Sequence, residues 1–236
     1  MKLSILVPIY NEEGTLEEVV RRVCGIPTPK EIILVDDGSK DRSREILTRL
    51  QEENDHANDP INTIRVFFQP QNQGKGAAIK TALSHVTGDV IIVQDADLEY
   101  DPKDYPALLE PIQSGDADVV YGTRFYGSGP HRVFFFWHYV GNQILTLISN
   151  MLTNLNLSDM ETGYKVFRAE VVKDVDLKSQ RFGFEPEITV KLAKKQCRFY
   201  EVPISYHGRT YAEGKKITWK DGVAALYYLI RFRLAD

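Results

Sequence analysis

The chain has 236 residues, of which 43% are hydrophobic and 26% are charged, and its formal net charge is −4. This composition is that of an ordinary globular protein and excludes collagen-like, fibrous and disordered classes. Proteins that coat nucleic acid are normally basic, so the pI of about 5.8 argues against a nucleic-acid partner. Cys24 and Cys197 lie far apart and outside any Cys/His cluster, which argues against a disulfide framework or zinc site and fits a reducing cytoplasm.

Strand and helix patterns alternate through the first half of the chain. Continuous apolar runs predict buried strands, at residues 3–7, 32–35, 64–68, 90–93 and 119–121. Apolar residues at helical spacing predict helices between them, from residue 16 and at 43–51, 76–84 and 105–113, with a loop over 52–62. Thr15 and Glu18 fit a capping box at the start of the first helix. The repeated β-α-β pattern predicts a mostly parallel sheet with helices on both faces.

The alternation stops after Gly122. The second half predicts helices at 133–152, 187–194 and 217–233, strands at 163–167 and 199–204, and a basic loop over 206–216. The N-terminal apolar run is too short for a signal peptide, and no apolar run reaches the roughly 18 residues of a membrane span. Because no repeat or linker is visible, we expect one α/β domain.

Acidic side chains follow two of the predicted strands. Ligands of such sheets bind beyond the carboxyl ends of the strands, so these residues should meet in one crevice. Asp95 and Asp97 directly follow a buried strand, and their oxygens suit a hard cation such as Mg²⁺ or Mn²⁺. Glu99 could add a ligand or hold a metal-bound water. The alternative is a solvated acidic loop in which Asp101 caps a turn.

The second acidic strand end and a glycine-rich segment also carry ligand-binding chemistry. Asp36 and Asp37 precede Gly38, and a carboxylate there could accept hydrogen bonds from a ribose or base; the alternative is helix capping by Ser39 or Asp41. The glycine-rich segment 73–76 contains Lys75 at a predicted helix start, which favours a phosphate or nucleotide edge. It lacks Walker A spacing, and no Gly-x-Gly-x-x-Gly follows the first strand, which argues against ATPase and dehydrogenase functions.

The loop over 206–216 could close over a pyrophosphate and neutralise its charge, or it could be an ordinary solvated cationic loop. Its cationic residues are His207, Arg209, Lys215 and Lys216.

Residues 121–158 contain no Asp, Glu or Lys, and their only fixed charges are Arg124 and Arg132. Two interpretations stay open for the aromatic helix at 133–152: a core helix, or an amphipathic helix lying in a membrane interface. The aromatic C-terminal helix repeats the pattern. Two arginines beside an apolar segment would suit an acceptor with a phosphate head and a lipid tail.

Six segments together carry a family resemblance: 7–12 (VPIYNE), 35–39 (VDDGS), 72–76 (NQGKG), 95–99 (DADLE), 161–167 (ETGYKVF) and 183–188 (GFEPEI). The sequence resembles glycosyltransferase family 2, and within it the dolichol-phosphate or polyprenyl-phosphate mannose and glucose synthases. The resemblance implies a GT-A fold over residues 1–236, with a nucleotide-binding half at about 1–121 and an acceptor- and membrane-facing half at about 122–236.

The implied activity is an inverting, metal-dependent transfer of mannose or glucose from GDP-mannose or UDP-glucose to a polyprenyl or dolichyl phosphate. The resemblance assigns the donor nucleotide to Pro8, Tyr10, Glu12, Asp36, Asp37, Lys75, Asp95, Arg209 and Lys215. It assigns Mg²⁺ or Mn²⁺ to Asp95, Asp97 and Glu99, and the acceptor phosphate to Arg124 and Arg132. Asp97, Glu187 and Arg209 are the implied catalytic residues. Since a lipid phosphate is already an anion, Glu187 is expected to orient the sugar and not to act as an obligatory base.

Other functions remain open from the sequence. A family member acting on a glycan or small-molecule acceptor is one, and a non-catalytic sugar-nucleotide binding module is another. A nucleotidyltransferase is disfavoured because the expected N-terminal glycine-rich, arginine-containing loop is missing. The sequence ends at Asp236 without an apolar tail, so we expect a cytoplasmic protein, peripheral at the inner face of the membrane. Residues 133–152 and the C-terminal helix would contact the membrane, with a homodimer or a membrane partner also possible.

Overall fold

A seven-stranded sheet forms the centre of the protein, in the order β3-β2-β1-β4-β6-β5-β7. The computed structural model describes residues 1–57, 59–126, 132–133, 135–181, 183–210 and 219–235, with the side chains of residues 219 and 220 not described. The strands are β1 (Leu3–Ile9), β2 (Lys30–Asp36), β3 (Asn62–Phe68), β4 (Val90–Val93), β5 (Val119–Thr123), β6 (Lys165–Arg168) and β7 (Phe199–Pro203). β6 runs antiparallel to β4 and β5, and the other pairs are parallel.

Helices connect these strands and cover both faces of the sheet. They are α1 (Leu16–Cys24), α2 (Ser43–Ala57), α3 (Lys75–Leu83), α4 (Tyr105–Gln113), α5 (Phe136–Thr153), α6 (Ala169–Val172), α7 (Phe184–Lys194) and α8 (Trp219–Leu234), with a 3₁₀ turn at Pro102–Asp104. Alternate strand residues point to opposite faces, so β1 sends Ile5 into one core cluster and Leu6 into the other. The predicted α/β fold with a mostly parallel sheet is confirmed.

Two local predictions about the first two helices are wrong. The loop predicted over 52–62 is helical as far as Ala57, and the Asn54 side chain ties this last part of the helix to β3 through the Asn62 carbonyl and the Ile64 N–H. The capping box does not form, since Glu18 binds Arg21 and Arg22. The neighbouring Thr15 hydroxyl instead donates to the Ala96 carbonyl at 2.7 Å, which joins the start of α1 to the loop after β4.

The helix predicted at 187–194 begins earlier, at Phe184. Pro186 falls in its first turn, where a backbone N–H has no partner within the helix, so proline does not interrupt it. Because the helix starts earlier than predicted, Glu185 belongs to its first turn.

α5 and α8 pack against each other and against α7, on the face of the second core cluster. The helix predicted at 133–152 is present as α5 but begins at Phe136. It is buried on one side only: Thr146 and Ser149 are buried, whereas Leu147 and Met151 are exposed. Within the described parts of the chain, no helix has the length and apolar character needed to cross a membrane.

Candidate functional site

A cleft of about 1060 Å³ opens where β1, β2 and β4 end and continues to α5 and α8. Parallel strands bring their carboxyl ends to the same edge of the sheet, so the loops after them form one wall. Ten of the predicted site residues line this cleft: Pro8, Tyr10, Glu12, Asp37, Lys75, Asp95, Asp97, Glu99, Arg124 and Arg209. Of the remaining predicted residues, Lys215, with Lys216, lies outside the described residues.

Asp36 and Glu187 do not line the cleft, which corrects their predicted placement. Asp36 is fully buried, and its carboxylate accepts the backbone N–H groups of Gly38 and Ser39, so it holds the turn after β2. Glu187 is also fully buried and accepts the N–H groups of residues 178 and 179 together with the Lys191 ammonium at 2.7 Å. Both carboxylates stabilise loops that support the cleft.

The loops that form the donor end are fixed to one another by side chains. Asp37 accepts the N–H groups of Gln73 and Gly74, both at 2.7 Å, and so positions the start of α3. Leu98 has a φ of +61°, a conformation that costs energy for a branched residue and turns the chain sharply after Asp97. A Cβ on Gly163 would lie 2.3 Å from the Asp95 carboxylate, so only glycine allows this close approach.

Lys75 joins two carboxylates in the cleft. Its ammonium lies 2.7 Å from Asp95 and 3.0 Å from Glu185. Burial acts to lower the pKa of Lys75, but the attraction of these two carboxylates outweighs it and holds that pKa well above its usual value. The same pairing lowers the pKa of Glu185 against its own burial. Lys75 and Glu185 are therefore both charged at neutral pH.

Arg209 occupies the space among the acidic side chains. Its guanidinium lies 2.9 Å from Asp97 and 3.3 Å from Glu12. Glu99 accepts the Arg209 backbone N–H at 2.8 Å and the Tyr206 hydroxyl at 2.6 Å, so both of its oxygens hold the segment that carries Arg209. The structure thus brings residues 206–210, the described part of the predicted basic loop, to the predicted acidic strand end.

The carboxyl groups at this end have the oxygen chemistry of a hard-cation site. Burial, and then the negative charges of Asp95 and Glu99, raise the pKa of Asp97 to about 7. Carboxylate oxygens are the ligands that Mg²⁺ and Mn²⁺ prefer, so Asp97 and Asp95 fit such an ion by donor type. Among the described residues, however, no three His, Cys, Asp or Glu side chains converge as cation ligands. The oxygens of Glu99 are engaged, which leaves its predicted ligand role without geometric support.

Arg124 lies in the cleft between this acidic end and α5. It forms a bidentate pair with buried Asp159, with N···O distances of 2.6 and 2.7 Å, and its guanidinium lies over the Tyr206 ring. Arg132 is exposed, donates to the Gly208 carbonyl at 2.6 Å and does not line the cleft. Only one of the two predicted acceptor arginines is therefore part of the cleft wall.

Sequence reasoning missed two glutamates that line the cleft, Glu161 and Glu185. Burial, reinforced by the charge of Glu185, raises the pKa of Glu161 to about 8. Both residues lie in segments that carry the family resemblance, and this position was the sequence signal that could have identified them. Residues 185 and 187 are about 200° apart around a helix, so only one of the two can face the cleft.

The far end of the cleft is mainly apolar, although His138 and Asn142 of α5 and Asp221 of α8 also line the cleft. It is lined by Trp137, Ile144, Leu145 and Ile148 of α5 and by Val223, Ala225 and Leu226 of α8. Outside the cleft the two helices expose further apolar side chains at helical spacing, namely Leu147 and Met151 on α5 and Tyr227, Ile230 and Leu234 on α8. An apolar surface of this kind is typical of an interaction site.

Comparison with known proteins shows which family the chain belongs to. Residues 4–176 match the family model described as glycosyl transferase family 2. The chain is 31% identical, over 99% of its length, to the low-salt glycan biosynthesis hexosyltransferase Agl6 of Haloferax volcanii, and it covers 53% of that protein. It is 30% identical, over 91% of its length, to a dolichol-phosphate mannosyltransferase of Pyrococcus furiosus, and it covers 59% of that protein.

A third relative is an undecaprenyl-phosphate 4-deoxy-4-formamido-L-arabinose transferase of Sodalis glossinidius, 28% identical over 91% of this chain. The chain spans between 53% and 62% of the length of these curated relatives. Among solved structures, glucosyl-3-phosphoglycerate synthase from Mycobacterium tuberculosis, crystallised with Mn²⁺, UDP and phosphoglyceric acid, matches with a TM-score of 0.73 at 18% identity, covering 100% of this chain and 79% of that one. The expected family and the GT-A fold are confirmed.

Proposed function

The chain belongs to glycosyl transferase family 2, and we propose that it transfers a hexose from a nucleotide sugar to a polyprenyl phosphate. The observation that carries the proposal is the continuity of the cleft. One cleft joins the acidic strand ends, the partly buried Arg124 and a mainly apolar wall formed by two helices. The acidic end matches a donor with a charged diphosphate and its metal ion. Arg124 matches the phosphate head of the acceptor, and the apolar wall matches its lipid tail. The names of the curated relatives support the same substrate classes.

The donor nucleotide would lie at the acidic end. Pro8, Tyr10 and Asp37 line the part of the cleft beyond β1 and β2, where the nucleoside fits. Lys75 and Arg209 are the cations at this end that would face the diphosphate, and we extend the proposal to Lys215. These residues come from both halves of the chain, so the donor site depends on the folded whole.

A divalent cation, Mg²⁺ or Mn²⁺, would be held by Asp97 with Asp95 and would neutralise charge that develops on the leaving diphosphate. The M. tuberculosis structure is a complex that contains Mn²⁺, which supports this assignment. Arg209 would contribute positive charge from this chain itself, and its partial burial would strengthen that contribution because the local dielectric constant is lower than that of water.

The acceptor phosphate would bind at Arg124, whose guanidinium is held in place by Asp159. A phosphate is already an anion at neutral pH, so it can attack the anomeric carbon without a general base. The work of the protein is then to position both substrates and to stabilise charge. The lipid chain would leave the cleft between α5 and α8.

The exposed apolar residues of α5 and α8 would place this end of the cleft at a membrane surface. The protein would then be peripheral, with residues 133–152 and α8 in the interfacial region and the donor end facing the cytoplasm. Arg132 is exposed beside α5 and would meet anionic headgroups. A homodimer or a membrane partner would use the same surface.

The test combines purified protein, a short-chain polyprenyl phosphate, and either GDP-mannose or UDP-glucose, with Mg²⁺ or Mn²⁺. We expect release of the nucleoside diphosphate only when the lipid phosphate is present, and a glycosylated lipid of the matching mass. Asp97→Ala should abolish the release while the protein remains folded by circular dichroism. Full turnover without a divalent cation would contradict the metal assignment, and turnover only with hydrophilic acceptors would contradict the lipid acceptor.

A further inference from the structure

Two carboxylate oxygens in the cleft lack any hydrogen-bond partner among the described residues. They are Oε1 of Glu161 and Oε2 of Glu185, and both atoms are buried. Both residues line the cleft. A buried polar oxygen without a partner is unfavourable, and native proteins normally satisfy such atoms. These two oxygens therefore indicate a ligand that hydrogen-bonds to carboxyl groups.

The backbone on either side of Glu161 and the side chain of Glu185 are both fixed by contacts within the protein. The buried Lys165 ammonium donates to the carbonyls of Met160 and Thr162, at 2.9 and 2.5 Å, on either side of Glu161. The other oxygen of Glu185 is bound to Lys75 at 3.0 Å. A site fixed in advance in this way loses little entropy when it binds a ligand.

The two glutamates lie between the two ends of the cleft. Glu185 is joined through Lys75 to Asp95 at the donor end. Glu161 interacts electrostatically with both Glu185 and Arg124, and all three residues line the cleft. The transferred group of any donor must lie between the diphosphate and the acceptor phosphate. This position is therefore next to the group that is transferred.

The chemistry of the pair selects the kind of ligand. A diphosphate would be repelled by carboxylates, and a lipid chain would leave the oxygens unsatisfied. A hydroxyl group both donates and accepts hydrogen bonds. Glu185 is a charged acceptor, and Glu161, protonated at neutral pH because of its raised pKa, offers an O–H donor beside an acceptor oxygen. Several neighbouring hydroxyl groups, as on a sugar, satisfy both residues.

We propose that Glu161 and Glu185 bind hydroxyl groups of the donor's sugar and determine which sugar is accepted, an inference that rests on the proposed function. Neither residue needs to take part in the chemical step. Their contacts are made to the sugar and not to the nucleotide, and the test uses this difference.

The experiment measures the dissociation constants of GDP and GDP-mannose, and of UDP and UDP-glucose, by isothermal titration calorimetry. The proteins are the wild type, Glu161→Gln, Glu185→Gln and the surface control Glu170→Gln, whose residue is exposed. We expect the Glu161 and Glu185 variants to bind the preferred nucleotide sugar about tenfold to a hundredfold more weakly. For Glu161→Gln the affinity for the matching nucleoside diphosphate should change by less than about threefold, and Glu170→Gln should leave both constants unchanged. Glu185→Gln also frees Lys75, which would face the diphosphate, so for this variant the loss of nucleotide-sugar affinity should exceed any change in diphosphate affinity.

A second measurement uses donors that lack one sugar hydroxyl. The wild type should bind the deoxy donor more weakly, and the variant that has lost the partner of that hydroxyl should show no further loss. Equal loss of both ligands, or no loss of either, would refute the sugar contact. If the wild type itself binds no nucleotide sugar, the proposed function fails instead. Should Glu185→Gln unfold because Lys75 loses its partner, Glu161→Gln decides the question alone.

Discussion

Replacing Asp159 by asparagine should lower the free energy of unfolding by about 3 kcal/mol. Asp159 is fully buried and accepts two guanidinium hydrogen bonds from Arg124, whose side chain is 14% exposed. Removing one partner leaves the other charge buried without compensation, and such losses amount to about 3–5 kcal/mol. The lower end applies because asparagine keeps one acceptor oxygen and because the cleft gives Arg124 some access to water.

The matched control is Asp118→Asn. Asp118 binds Arg198 in the same bidentate geometry, at 2.7 and 3.0 Å, but the Arg198 side chain is 54% exposed. Water screens that pair, so its loss should be much smaller than that of the buried pair. The two substitutions make the same chemical change at sites of different burial. Asp118→Asn also removes a second, longer ion pair, with Arg168 at 3.6 Å.

Urea unfolding followed by circular dichroism measures both losses, with equal slopes required for a valid comparison. A double-mutant cycle with Arg124→Gln then isolates the interaction: the double variant should be more stable than the sum of the two single losses indicates. Equal losses in Asp159→Asn and Asp118→Asn would refute the argument from burial. A loss below about 1 kcal/mol for Asp159→Asn would do the same.

Three further outcomes follow from the site and the surface. Arg209→Gln should bind Mn²⁺ alone more tightly by calorimetry, because the guanidinium no longer competes for Asp97, while transfer slows. Between pH about 4.5 and about 8, the raised pKa of Glu161 means that the folded protein holds a proton that the unfolded chain releases. The contribution of Glu161 to the free energy of unfolding should therefore fall as pH rises through this range. Urea unfolding of the wild type and Glu161→Gln at several pH values should show this fall in the wild type only. Leu147→Glu should weaken flotation with anionic vesicles, whereas Ile61→Glu, at an exposed apolar residue outside the two-helix surface, should not.

Each of these outcomes has a result that would contradict it. Unchanged Mn²⁺ affinity in Arg209→Gln would show that the guanidinium does not compete with the cation. A wild type and Glu161→Gln with parallel stability profiles would show that Glu161 titrates normally. Equal flotation of the Leu147 and Ile61 variants would remove α5 from the membrane contact.

The sequence alone predicted the α/β class, the mostly parallel sheet and ten of the residues that line the cleft. The strand over 90–93 and the helix over 105–113 have the predicted bounds, because apolar runs and turn residues mark both ends. Asp95 and Asp97 meet Lys75 and Asp37 at one edge because parallel strands place their carboxyl ends together, which is a rule of topology. These features depend on local pattern and chain order, and both can be read from the sequence.

The tertiary structure decided which of several similar residues faces the cleft. Glu185 and Glu187 are equivalent in the sequence, but the packing of α7 on the second core turns Glu185 to the cleft and Glu187 to a loop. The Thr15 hydroxyl donates to the Ala96 carbonyl, which is distant in sequence, and so joins the start of α1 to the loop after β4. Arg209 reaches Asp97 from a segment whose backbone is held by Glu99, which is distant in sequence. Helix rotation and long-range hydrogen bonds follow from the packing of the whole chain, and no local pattern encodes them.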